Sequence, residues 1–116
     1  MQIRLLSTDG SEQAAIVNKD LIWAWLRDRL AAANLEFVNL RDGRILIVDQ
    51  DGWASQLVER DPLPGYDTTH ELVPTIARKP VNPAATALYR TIAPDRYREH
   101  SIVGDAAVVL DKDFVD

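Results

Sequence analysis

The pair Asp42-Gly43 stands between two apolar segments, Leu35-Glu36-Phe37-Val38-Asn39-Leu40 and Arg44-Ile45-Leu46-Ile47-Val48-Asp49. Asp-Gly tolerates positive φ at both central positions of a tight turn, the geometry that returns one strand antiparallel to the next. The middle of the chain is therefore committed to a β-hairpin. A second turn signal, Asp9-Gly10, separates residues 3–8 from Gln13-Ala14-Ala15-Ile16-Val17 and predicts another hairpin at the start. A chain that opens with antiparallel pairs needs elements to cover them, and the spacing of apolar residues says where those lie.

After Asn18 the period changes. Leu21 and Trp25, and Ile22, Leu26 and Leu30, recur every four residues, which predicts a helix over 19–33. Asn18 or Asp20 caps its start, and Asn34, which accepts the left-handed conformation, stops it. Asn82-Pro83 has the form of a second helix start, asparagine as cap and proline at the first helical position, and Pro94 ends that helix near residue 93. Ala106-Ala107-Val108-Val109-Leu110 reads as a buried strand. Residues 53–80 hold Pro62, Pro64, Pro74, Pro80 and Gly65, which exclude long helices and central strands and predict a long structured loop with one short strand at most. The fold class that follows is α+β: an antiparallel or mixed sheet of about four to five strands with helices 19–33 and 83–93 packed on it. At 116 residues the chain is expected to form one domain.

Apolar residues make up 47% of the chain, enough to build a core. The absence of cysteine excludes disulfides, a thiol nucleophile and thiolate metal sites. The longest apolar run, residues 21–26, falls short of the roughly 18 residues a membrane span needs, and no leader pattern opens the sequence, so a soluble cytoplasmic protein is expected.

The net charge of −5 is localised. Residues 42–71 carry seven acids (Asp42, Asp49, Asp51, Glu59, Asp61, Asp67, Glu71) against Arg44 and Arg60, which accounts for all of it. An acidic chain lacks the cations that neutralise phosphates, so no direct nucleic-acid binding is expected. An acidic stretch is suited instead to a basic protein partner.

Pro80-Val81-Asn82-Pro83-Ala84-Ala85-Thr86-Ala87-Leu88-Tyr89, followed by Ile102-Val103-Gly104-Asp105-Ala106-Ala107-Val108-Val109, resembles the C-terminal signature of the domain-of-unknown-function 3846 family. Its members are small proteins of actinobacteria, their phages and mobile elements. The Asp42-Gly43 hairpin stands where that family tends to have one, whereas the stretch between Gly52 and Pro80 is longer than the family pattern. The resemblance implies a compact mixed domain in a phage or host setting. It implies no activity.

Candidate sites are few. Tyr66-Asp67-Thr68-Thr69-His70-Glu71 is the densest group of reactive side chains, and a small hydrolase or metal-dependent enzyme would use Asp67 and His70. Histidines in short polar loops more often serve structure, and the spacing of Asp67 and His70 to Asp49 or Asp51 matches no ligand pattern, so neither metal nor cofactor is expected. Arg78 and Lys79 precede the helix capped by Asn82, where free N–H groups could receive an anion or a partner's carboxylate, although a cap and solvated cations explain the same residues. Trp23 and Trp25 are two apart on one helix and face different ways, so one is expected to be exposed. Trp23 and Trp53, with Asp49, Asp51, Glu59 and Asp61, are the candidate interface. The preferred expectation is a non-enzymatic accessory protein of a phage or mobile element that binds another protein, in its concrete form an acidic inhibitor of a host defence or nucleic-acid-binding protein.

Overall fold

The structure, a computed structural model, describes residues 1–60, 65, 69–92 and 100–110, with the backbone alone along 55–60 and 69–75. In chain order its elements are β1 (Gln2–Leu6), β2 (Glu12–Ile16), α1 (Ile22–Arg29), β3 (Leu35–Asn39), β4 (Arg44–Asp49), β5 (Trp53–Arg60), β6 (Thr69–Ala77), α2 (Pro83–Arg90) and β7 (Ala106–Leu110).

Both Asp-Gly turns form, with Gly10 and Gly43 at φ 89° and 84°, and they close the β1–β2 and β3–β4 hairpins. β7 then enters between β1 and β4, antiparallel to each. This joins the hairpins into a five-stranded antiparallel sheet of order β2-β1-β7-β4-β3. Of the three inner strands, β4 and β7 are apolar on both sides over 45–48 and 106–109, whereas β1 is apolar on its α1 side and at Leu6, with Gln2 and Arg4 exposed. Ile3, Leu5, Ile45, Ile47, Ala107 and Val109 face α1 and pack on its Ile22 and Leu26. Leu6, Leu46, Val48, Ala106 and Val108 face the other way and meet Ala85 of α2. A strand buried on both faces reads as a continuous apolar run, which is why residues 45–48 and 106–109 show no polar alternation.

The first helix is shorter than its apolar period predicts. Lys19–Leu21 form a 3₁₀ turn, begun where the Asn18 side chain accepts the Asp20 N–H, and α1 occupies only Ile22–Arg29. Its stop is Ala31, at φ 48°, and not Asn34. The Ala31 and Ala32 N–H groups donate to the Asp28 and Arg27 carbonyls, closing a Schellman turn. Asn34 instead ties the chain to the turn after β4, its amide donating to Asp51 Oδ2 at 2.9 Å. α2 ends at Arg90, three residues before the expected boundary, with Thr91 and Ile92 in a turn; residue 93 lies outside the described residues.

The expectation of a loop over 53–80 is corrected outright. β5 and β6 pair along their length from Trp53↔Ala77 to Arg60↔Thr69 as a separate two-stranded ribbon. Pro74 is tolerated because it stands opposite Ser55 beside a register shift, and in a two-stranded ribbon each strand has one side free of ladder bonds. The described chain measures 55 × 26 × 26 Å. A ribbon of this length adds about 27 Å at about 3.3 Å per residue, so sheet and ribbon end to end account for the long axis.

Candidate functional site

The segment between ribbon and α2 carries the residues predicted to hold an anion, and the fold uses two of them internally. Asn82 is fully buried. Its Oδ1 accepts from the Ala85 N–H at 3.1 Å as a helix cap. Its amide nitrogen donates to the carbonyls of Leu6 at 2.8 Å and Gly104 at 3.0 Å, fastening α2 to β1 and to the approach to β7. Lys79 reaches the C-terminal end of α1, donating to the Leu30 and Ala31 carbonyls at 2.8 and 2.9 Å. The same ammonium pairs with Asp49 Oδ2 at 2.7 Å, and the Asp49 side chain is only 6% exposed. A cation at the negative end of a helix dipole, joined to a buried carboxylate, is a structural clamp. Gly104 makes room for it, since a Cβ there would lie 2.7 Å from Lys79 Cδ. Arg78 is exposed, and its N–H donates to the Gly52 carbonyl at the foot of the ribbon.

The acids of the interface prediction divide in the same way. Asp49 is held by Lys79, Asp51 accepts from Asn34, and Asp42 accepts from Arg44 Nε at 2.8 Å. That bond from Arg44 holds the Asp42 carboxyl below the ordinary aspartate range and raises the Arg44 pKa. Glu59 lies on β5, where only the backbone is described, and Asp61 lies outside the described residues.

Trp23 is 43% exposed and meets Phe37 of β3 edge-on, ring centroids 5.4 Å apart. Trp25 is half-buried against the α1 core, with the Arg29 guanidinium 5.4 Å from its ring centre. Trp53 is half-buried at the ribbon's foot. Its Nε1 donates to the Ser101 carbonyl at 3.0 Å, and its ring lies 5.2 Å from that of His100, which Tyr89 meets from another side at 6.0 Å. Sequence reading missed this aromatic anchor because its members come from three separate segments.

For the enzyme alternative, His70 stands opposite Glu59 in the ribbon ladder and Asp67 lies outside the described residues. Among the described residues no group of three or more His, Asp or Glu side chains converges as a metal site. No described helix is long and apolar enough to cross a membrane.

A concavity lies where no candidate was expected. α2 is about 12 Å long at 1.5 Å per residue, so it covers only one end of its face of the sheet. At the other end a recess of about 480 Å³ is lined by Arg4, Ala14, Ile16, Arg44, Val108 and Leu110. Strand alternation puts these side chains on the face of Leu6 and Leu46. Ile16 is 82% exposed there. The signal in the sequence was Ile16-Val17: two neighbouring apolar residues cannot both enter the core from an edge strand.

Comparison of the chain with protein-family models, with curated proteins and with solved structures finds no match.

Proposed function

We propose that this chain is a non-enzymatic binding module whose β5–β6 ribbon engages a basic surface of another protein. The observation that carries the reading is that, among the described residues, the two strands of the ribbon pair with each other and with no third strand. An isolated two-stranded ribbon is marginal in water and is stabilised by whatever completes or covers it. Charge supports the same element. Of the seven acids in residues 42–71, Asp42, Asp49 and Asp51 have partners within the chain, and the other four, Glu59, Asp61, Asp67 and Glu71, fall within residues 59–71 of the sequence. The foot of the ribbon is anchored by Trp53 and by Gly52, where a Cβ would meet Val103 Cγ2 at 2.8 Å, so the arm has a fixed root from which to present its far end.

The concrete form is an acidic inhibitor that occupies the cationic site of a nucleic-acid-binding or host-defence protein. A phage or mobile-element setting comes with the resemblance to the domain-of-unknown-function 3846 family and belongs to the same proposal. Immobilised protein should retain a basic partner at low ionic strength and release it near 1 M salt, where the screening length falls to about 3 Å. A chain in which Gly-Ser replaces residues 54–76 should retain none. Equal retention by that shortened chain, or no retention by the intact one at low salt, defeats the reading.

A further inference from the structure

We propose that the recess on the α2 face of the sheet is a binding site for a small amphipathic carboxylate, an alkyl or aryl body ending in one acid group. This site is separate from the ribbon and does not depend on its role. The recess has the volume of a small-molecule site, which runs from about 300 to 1,000 Å³. Its apolar lining, Ala14, Ile16, Val108 and Leu110, comes from β2 and β7 on either side of β1, so it is built on the rigid sheet and not on a loop. Apolar surface of this kind is normally covered, and the short α2 leaves it open.

The walls specify the polar end of the ligand. Arg4 and Arg44 both line the recess, while their partners Glu12 and Asp42 do not. Among the described residues the lining therefore presents two guanidinium groups and no carboxylate, in a chain whose net charge is −5. The Arg4–Glu12 pair is solvent-exposed, its side chains being 50% and 51% accessible, and the Arg44–Asp42 pair is partly so, at 31% and 52%. Exposed pairs of this kind contribute little, so a guanidinium can turn to an incoming carboxylate at small cost. The planar fork of arginine then offers paired N–H donors to the acid, and the apolar floor takes the body.

The probe is decanoate, added below its micelle concentration to the full chain and followed by titration calorimetry and amide NMR shifts. Saturable binding is expected, with one site per chain and shifts centred on residues 14–16 and 108–110. Decanol, which has the body without the acid, should bind at least about tenfold more weakly. The Ile16→Asp variant and the Arg4→Ala/Arg44→Ala double variant should each lose at least about tenfold in affinity. Ile16 is too exposed for its replacement to disturb folding, and an unchanged far-UV spectrum will verify this. The proposal is overturned if decanoate gives no saturable signal or if decanol binds equally well. It is also overturned if the Ile16→Asp change converts a dimer to a monomer, which would make a second copy the occupant, or if an acidic peptide competes out decanoate with much higher affinity.

Discussion

The sheet with its two helices and the β5–β6 ribbon are both antiparallel β structure, yet they are stabilised by opposite means. In the sheet the central strand β7 is buried on both faces, and apolar packing above and below it holds the strands in register. Among the described residues the ribbon has two strands, no third neighbour and a register shift near its foot. The described contacts that tie it to the rest of the molecule lie at Gly52, Trp53 and Arg78. Local pairing is enough to shape a strand pair, whereas a stable sheet needs cover. The contrast locates rigidity in the covered sheet and is the ground on which the ribbon is proposed to meet a partner.

That comparison can be broken experimentally. Leu26→Ala, which empties space under the sheet at a fully buried position, should cost about 2–5 kcal/mol in chemical denaturation; a smaller loss would mean that α1 does not seal that face. Lys79→Met removes the clamp between α1 and β4 and strands the Asp49 carboxylate, an expected loss of about 3 kcal/mol. In the opposite direction, Ala31→Gly relieves a left-handed alanine and should raise stability by about 1 kcal/mol. Replacing residues 54–76 by a two-residue link between Trp53 and Ala77, which stand opposite each other, should change the stability of the sheet by less than about 1 kcal/mol. Hydrogen exchange sharpens the same point: ribbon amides should exchange through local opening, and those of β4 and β7 only through global unfolding.

The smallest effect is at Asp42. The hydrogen bond from Arg44 lowers its pKa, so its contribution is fully present above the ordinary aspartate value and is lost as pH falls through the lowered one. NMR titration of the carboxyl carbon should show this depression in the intact protein and its reduction in Arg44→Ala, where the backbone N–H bonds to the carboxylate remain.

What the sequence disclosed depended on how far apart the determining residues are. Asp9-Gly10 and Asp42-Gly43 specify their hairpins from two adjacent positions, and both were readable. Asn82 was readable as a cap, because capping acts within one helical turn, but its two further bonds reach β1 and the approach to β7 and leave no local trace. The end of α1 was misplaced because nothing in the local sequence marks Ala31 as left-handed, and the ammonium that donates to the Leu30 and Ala31 carbonyls stands 48 residues away from Ala31. The ribbon was missed because its prolines were judged as if every strand were interior, whereas in a strand pair half the backbone groups need no partner. The recess was illegible because it is defined by what α2 is too short to cover.

The placement of β7 also governs how the molecule can be assembled. Residues 106–110 fill the middle of the sheet although they follow every other described strand in chain order, so on the ribosome both earlier hairpins must wait with exposed apolar edges. Nucleation then depends on contacts spanning about a hundred positions, which predicts a slow folder whose premature termination products would be prone to clumping.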